Sequence, residues 1–252
     1  MTNPQPNLEH LDKYYQSNSY ISHTNKSTNL IDQVYKFSRK FTLQWKLKLL
    51  KKHSLRPPAH VLDYGCGTGA FLNICKNNQL QIAGVEPSAI AREQARRNTG
   101  VEIVPTIDFI DGHFDAITLW HVLEHVNDIN DTLHKLKSHL HKNGTMFIAV
   151  PNLQSNDAKE YGADWAAFDV PRHLWHFSQP AMNRLIKNHA LKIHRVIPML
   201  LDAYYVSLLS EKYRSGKNGI VNMVLALHQG LKSNIKAKST KEYSSLIYIV
   251  RK

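Results

Sequence analysis

At 252 residues with 42% hydrophobic side chains, the chain is long enough for one large α/β domain with appendages. No apolar run reaches the roughly 18 to 20 residues of a membrane span, the polar N-terminus lacks a signal-peptide core, and the two cysteines form no C-x-x-C pair, so a cytoplasmic protein without a disulfide or zinc framework is expected. The net charge of +12 sits in the flanks: ten Lys/Arg against three Asp/Glu in residues 1–60 and nine against three in 201–252, with thirteen against fourteen between.

Residues 1–58 read as an N-terminal lid followed by an amphipathic helix, in which Leu30, Val34, Phe37, Phe41 and Trp45 recur at helical spacing until Pro57-Pro58 stops it. Residues 59–252 form the main domain. Its first strand, Ala59 to Tyr64, runs into Gly65-Cys66-Gly67-Thr68-Gly69, and Phe71 to Ile74 then takes up helical spacing. Glycines in such a turn let a ligand approach bare backbone, and the helix that follows points unsatisfied N–H groups at the same place. Gly65, Gly67 and Ala70 fit the dinucleotide pattern G-x-G-x-x-A, with Glu86 near the position of a ribose-binding acid. Asp63 beside the turn suits a cationic ligand group better than a pyrophosphate. Cys66 reads as a small turn residue rather than a nucleophile.

A second strand spans Leu80 to Glu86, and Pro87-Ser88 opens the next helix. Val101 to Val104 is a short third strand, and Phe114 to Trp120 a buried fourth with Asp115 structural at its start. His121-Val122-Leu123-Glu124-His125 then lies where a parallel strand delivers its carboxyl end. H-x-x-E-H is not H-E-x-x-H, and no further ligand set stands at a recognisable spacing, so no metal is expected. Asp128 caps a helix whose core face is Ile129, Leu133, Leu136 and Leu140; Asn143-Gly144 turns the chain into a fifth strand, Thr145 to Asn152. This alternation implies a parallel sheet covered on both faces.

Residues 151–177 mix Tyr161, Trp165, Phe168 and Trp175 with Asp164, Asp169, Arg172, His173 and His176, which suggests a substrate loop; the alternative is a loop pinned to the core by its aromatics. A helix at 180–188 and a sixth strand at 191–199 follow. Helices are expected at 201–213 and 219–231 within an insertion over 200–242, the apolar face Ile220, Val224, Leu227 and Leu231 of the second covering the sheet, with a dimer contact or a membrane surface as the alternatives. Tyr243 to Val250 is the final strand.

The run V-L-D-x-G-C-G-T-G resembles motif I of the class I S-adenosylmethionine-dependent methyltransferases. W-H-V-L-E-H-V is similar to the segment after strand four in small-molecule members of the ubiquinone-biosynthesis type, and P-R-H-L-W-H-F-S resembles an acceptor-bordering segment of one subgroup, methyltransferase type 23. The resemblance implies a Rossmann-like, doubly wound seven-stranded sheet, mostly parallel with an antiparallel last strand, plus the N-terminal helix and the helical insertion. It implies S-adenosylmethionine as methyl donor, released as S-adenosylhomocysteine. Asp63 would then lie near the amino acid end, with Gly65, Cys66, Gly67 and Gly69 around the turn, Glu86 and Pro87 by the ribose, Asp108 near adenine, and Trp120-His121 completing the methionine end. His173 and His121 are the expected bases, and Trp165, Arg172, His173, His176 and His125 the expected acceptor-side residues. The reading is an enzyme moving methyl to an O or N atom of a small molecule, as a monomer or homodimer. RNA or protein as acceptor is less favoured, a noncatalytic cofactor-binding scaffold is the other alternative, and the basic flanks are solvated faces or make weak membrane-surface contact.

Overall fold

The computed structural model describes residues 1–3, 5, 30–53, 60–216 and 219–252, and for residues 30–40 the backbone alone. Most of the expected lid and the Pro57-Pro58 stop lie outside the described residues. Helix α1 (Leu30–His53) leads to strand β1 (His60–Tyr64), α2 (Ala70–Asn77), β2 (Gln81–Val85), α3 (Ala89–Thr99), β3 (Ile103–Val104), β4 (Phe114–Trp120), α4 (Ile129–His139) and β5 (Leu140–Pro151). Then follow α5 (Asn156–Tyr161), α6 (Gln179–Asn188), β6 (Lys192–Pro198), α7 (Asp202–Ser215), α8 (Ile220–Thr240) and β7 (Ser245–Arg251). The strands form one seven-stranded sheet in the order β3-β2-β1-β4-β5-β7-β6. β1 is parallel to both β2 and β4, β2 is parallel to β3, and β7 runs antiparallel to β6, as expected for the last strand. No helix among the described residues is long and apolar enough to cross a membrane.

The chain divides into two compact units, with boundaries inside β4 and near the start of β5. The first comprises residues 3–118 and 138–145. Strand β1 buries Val61, Leu62 and Asp63, and α2 buries Phe71, Leu72 and Cys75. Asp115 anchors β4 by accepting a hydrogen bond from the His60 N–H at 2.9 Å. Of the apolar face expected of α1, Leu30, Val34 and Phe37 lie outside the described side chains, Trp45 is half-buried and Phe41 is 60% exposed; the buried side chains near the helix end are Leu47, Leu49 and Leu50. Strand β5 begins at Leu140 rather than Thr145, so Asn143-Gly144, expected as a turn, lies within the strand, where a Cβ on Gly144 would meet Leu140 Cδ1 at 2.8 Å.

The second unit comprises residues 1–2, 119–137 and 146–252. Asp128 caps α4 as expected, its Oδ1 accepting from the N–H groups of Asn130 and Asp131 at 3.0 and 2.9 Å. The centre of this unit is Asp157, fully buried, whose carboxylate accepts from Trp165 Nε1 (2.9 Å), Ser233 Oγ (2.7 Å) and Ser244 Oγ (2.6 Å). One side chain thereby ties the 151–177 loop to α8 and to the start of β7.

Helix α8 overturns the expected facing. Ile220 and Val224 are 79% and 57% exposed, and Leu227 and Leu231 are about half exposed, whereas Ala226, Gln229, Gly230, Ser233 and Ala237 are buried. The reason is a close helix crossing: a Cβ on Gly230 would stand 2.9 Å from Tyr204 Cα and 2.6 Å from its Cδ1. Only small side chains permit that approach, so packing against α7 selects the small-residue face and turns the branched apolar face outward.

Candidate functional site

Within the first unit the glycine turn joins β1 to α2. Gly65, Gly67 and Gly69 have φ values of 75°, 55° and 75°, a left-handed region open to glycine at little cost. The N–H groups of Gly65 and Cys66 donate to the Val85 carbonyl at 2.8 and 3.0 Å, binding the turn to the end of β2. At Gly69 a Cβ would lie 3.1 Å from Ala95 Cα, so this position seats α2 against α3. At Gly67 a Cβ would meet nothing within 4 Å among the described residues, so the turn opens there on space free of them.

Two buried carboxylates flank that opening. Glu86 accepts from Gly67 N at 2.8 Å through Oε2 and from Ser88 N at 2.9 Å through Oε1. Burial raises its pKa, against the lowering effect of those two N–H bonds. Asp63 pairs in register with Thr118 on β4 and accepts its hydroxyl at 2.5 Å. Burial drives the Asp63 carboxyl up to about 7, with Thr118 and then Lys46 pulling the other way. Burial likewise pushes the Cys66 thiol well above its ordinary range. Pro87 is exposed, and Asp108 sits exposed in a short 3-10 turn, Ile107–Phe109, accepting from Thr106 Oγ1 at 3.3 Å.

Trp120 and His121 belong to the second unit. His121 has a positive φ of 59°, unusual for a side chain of its size, and its N–H donates to the Ala149 carbonyl at 3.1 Å. Both ring nitrogens face carboxylates: Nε2 is 3.0 Å from Asp202 Oδ2 and Nδ1 is 3.5 Å from Glu124 Oε1. Burial opposes its charge, but Asp202 and Glu124 outweigh burial and hold its pKa at about 9. Asp202, at the start of α7, had no local signal in the sequence; only the folded insertion brings it to His121.

His125 and His173 meet edge to face, with centroids 4.5 Å apart. Nδ1 of His125 lies 3.1 Å from the Arg172 carbonyl and Nδ1 of His173 lies 2.8 Å from that of Ala167. Burial lowers the His173 pKa to about 4. Arg172 donates to Asp169 Oδ1 from Nη2 at 2.6 Å, and His176 lies 3.2 Å from Thr2 Oγ1. Trp165 is buried and bonded to Asp157, and with His173, Trp175 and His176 it lines a small cavity. The fold thus gathers His121, Glu124, His125, Arg172 and His173 within one unit, and Asp63, Gly65, Gly67, Gly69 and Glu86 within the other.

Residues 34–196 match a family described as a methyltransferase domain, well over half of the chain. The chain belongs to that family. Its fold is the Rossmann-like methyltransferase fold. It is 27% identical to an uncharacterized protein of Methanocaldococcus jannaschii, over 59% of this chain and 66% of that one. It is 29% identical to a ubiquinone biosynthesis O-methyltransferase of Rhodopseudomonas palustris, over 46% of this chain and 50% of the relative, so the similarity spans one half to about two thirds of these relatives' lengths. Its fold is similar to a mycolic acid cyclopropane synthase crystallised with SAH (TM-score 0.64, 12% identity, 100% of both chains). It also resembles the magnesium protoporphyrin IX methyltransferase of Synechocystis (TM-score 0.62, 11% identity, 98% of this chain and 100% of that one).

Proposed function

We propose that this methyltransferase moves the sulfonium methyl of S-adenosylmethionine to an oxygen or nitrogen atom of a small-molecule acceptor, releasing S-adenosylhomocysteine. The observation that carries the donor assignment is the glycine turn opening at Gly67 between two buried carboxylates, Asp63 and Glu86. A dinucleotide pyrophosphate would meet negative charge there; a donor with an α-ammonium, a sulfonium and a ribose diol meets acceptors. Glu86 would hold the ribose, since each carboxylate oxygen that accepts one N–H retains a second lone pair. Asp63 would face the amino acid end and Asp108 the adenine, with Pro87, Cys66 and Gly69 shaping the turn.

In the reaction the acceptor's lone pair attacks the methyl carbon in line, the C–S bond breaks, and its electron pair stays on sulfur as a neutral thioether. The methyl is already activated by the positive sulfur, so the protein's task is alignment and exclusion of water. A hydroxyl acceptor also has to lose a proton. Of the two histidines expected as base, His121 has both nitrogens against carboxylates, while His173 uses Nδ1 on the Ala167 carbonyl and keeps the lone pair on Nε2. His173 is therefore the group we place against the acceptor's proton, with His125, Arg172 and His176 as its neighbours. The named ubiquinone O-methyltransferase relatives favour oxygen over nitrogen as acceptor.

Calorimetry of the purified chain with S-adenosylmethionine, S-adenosylhomocysteine and NADH tests the donor. Micromolar binding of the first two is expected, weakened about 10- to 100-fold in Glu86→Gln, the loss of about 1.5 to 3 kcal/mol carried by a charge-assisted bond. Binding of NADH alone would overturn the proposal.

A further inference from the structure

We propose that Glu124, His125 and His173 bind a divalent transition-metal ion. Each offers one ligand atom, and the three atoms lie within 4.8 Å of one another. Three ligands about 2.1 Å from a shared ion stand about 3.4 to 3.6 Å apart, so closure needs each ligand atom to move by up to about 0.7 Å.

The independent observation is the state of Glu124. Its side chain is fully buried, and neither carboxylate oxygen has a hydrogen-bond partner among the described residues. A buried carboxylate without bonds is costly, and native proteins satisfy one with hydrogen bonds, a paired charge or a metal. The nearest cationic group is His121, but Nδ1 at 3.5 Å from Oε1 is too distant for a good hydrogen bond, and that ring is drawn off by Asp202 at 3.0 Å. The rings of His125 and His173 lie close enough to Glu124 to share an ion with it.

The histidines are set as metal ligands usually are. The Nδ1 atom of each faces a backbone carbonyl, so Nδ1 carries the hydrogen and the lone pair lies on Nε2. The frame is tied by the backbone as well: the Glu124 carbonyl accepts from the N–H groups of Leu174 and Trp175 at 2.8 and 3.2 Å, fastening the His173 segment onto the turn that carries Glu124 and His125. Asp169 Oδ2, 3.7 Å from His173 Nε2, is a further oxygen at the margin, steadied by Arg172. Two imidazoles and one carboxylate suit Zn²⁺, Fe²⁺ or Co²⁺ and leave coordination positions open, whereas Mg²⁺ and Ca²⁺ prefer oxygen alone. The ion would use the lone pair given above to the acceptor's proton, and a hydroxyl bound at an open position would ionise on the metal instead. Only that last step rests on the methyl-transfer reading; ion binding does not.

The test is titration of the chelator-stripped full chain with Co²⁺, followed by visible absorption, and with Zn²⁺, followed by calorimetry, both without donor or acceptor. One equivalent bound with micromolar or tighter affinity is expected, with ligand-field bands for Co²⁺ and at least about tenfold weaker binding in Glu124→Gln and in His125→Ala. Circular dichroism shows which variants are folded; if Glu124→Gln does not fold, His125→Ala, at a less buried position, decides. Absence of saturable binding below about 1 mM in the wild type, or undiminished binding in a folded variant, which would assign the ion to surface histidines, overturns the proposal. Because the readouts involve neither donor nor turnover, they fail or succeed independently of methyl transfer.

Discussion

The two units each bury a carboxylate at a structural focus, and they satisfy it differently. Glu86 takes its hydrogen bonds from Gly67 and Ser88, backbone groups in the adjoining turns, and stands beside open space. Asp157 takes all of its bonds from side chains, those of Trp165, Ser233 and Ser244, and is sealed in. The first carboxylate borders space open among the described residues; the second is closed in by its donors. A buried acid is thus read by where its donors come from, and not by burial alone.

Three experiments would break or sharpen that contrast. The largest effect is expected from Asp157→Ala, which strands three buried donors at about 1 to 3 kcal/mol each; urea denaturation should record a loss of about 4 kcal/mol or more. A loss under about 1 kcal/mol would mean that the second unit is held by its apolar packing instead.

Next comes the pH dependence of donor binding. The Asp63 carboxyl, raised by burial to about 7, is partly protonated at neutral pH, and only its ionised form attracts an ammonium. Affinity for S-adenosylmethionine should therefore fall on acidification from pH 7.5 to 5.5, approaching about tenfold per pH unit at the acid end. Calorimetry across that range should give a flat profile for Asp63→Asn; a flat wild-type profile would remove Asp63 from the ammonium site.

The smallest effect is expected on the outward face of α8. Leu227→Ser should change stability by no more than about 0.5 kcal/mol. A loss of about 2 kcal/mol or more in thermal unfolding would mean that this face is covered in solution.

The same contrast explains how much could be read from the sequence. The strands, the glycine turn, Asp63 and Glu86 were legible because a turn's demand for positive φ and a strand's apolar run are local requirements written in adjacent residues. Thr118 escaped notice because its contact with Asp63 depends on the register of β1 against β4, and Asp202 because an insertion carries it to His121. For α8 the expectation failed outright. Helical spacing identified two faces, but the rule that apolar means inward lost to a crossing so close at Gly230 that a Cβ there would stand 2.9 Å from Tyr204 Cα. The meeting of Glu124 and His125 with His173 has the same character: the first two are a local motif, and the third arrives by a loop whose length gives no hint of it.

The setting of Cys66 has a practical consequence for anyone handling the protein. Attack on peroxides, disulfides and alkylating agents requires a thiolate, and burial beside the carboxylates of Asp63 and Glu86 keeps this sulfur protonated; Cys75, one helix along, is buried and shifted in the same direction. Both thiols are thereby disfavoured as targets of oxidation, so loss of activity on storage in air would point first to a lesion elsewhere.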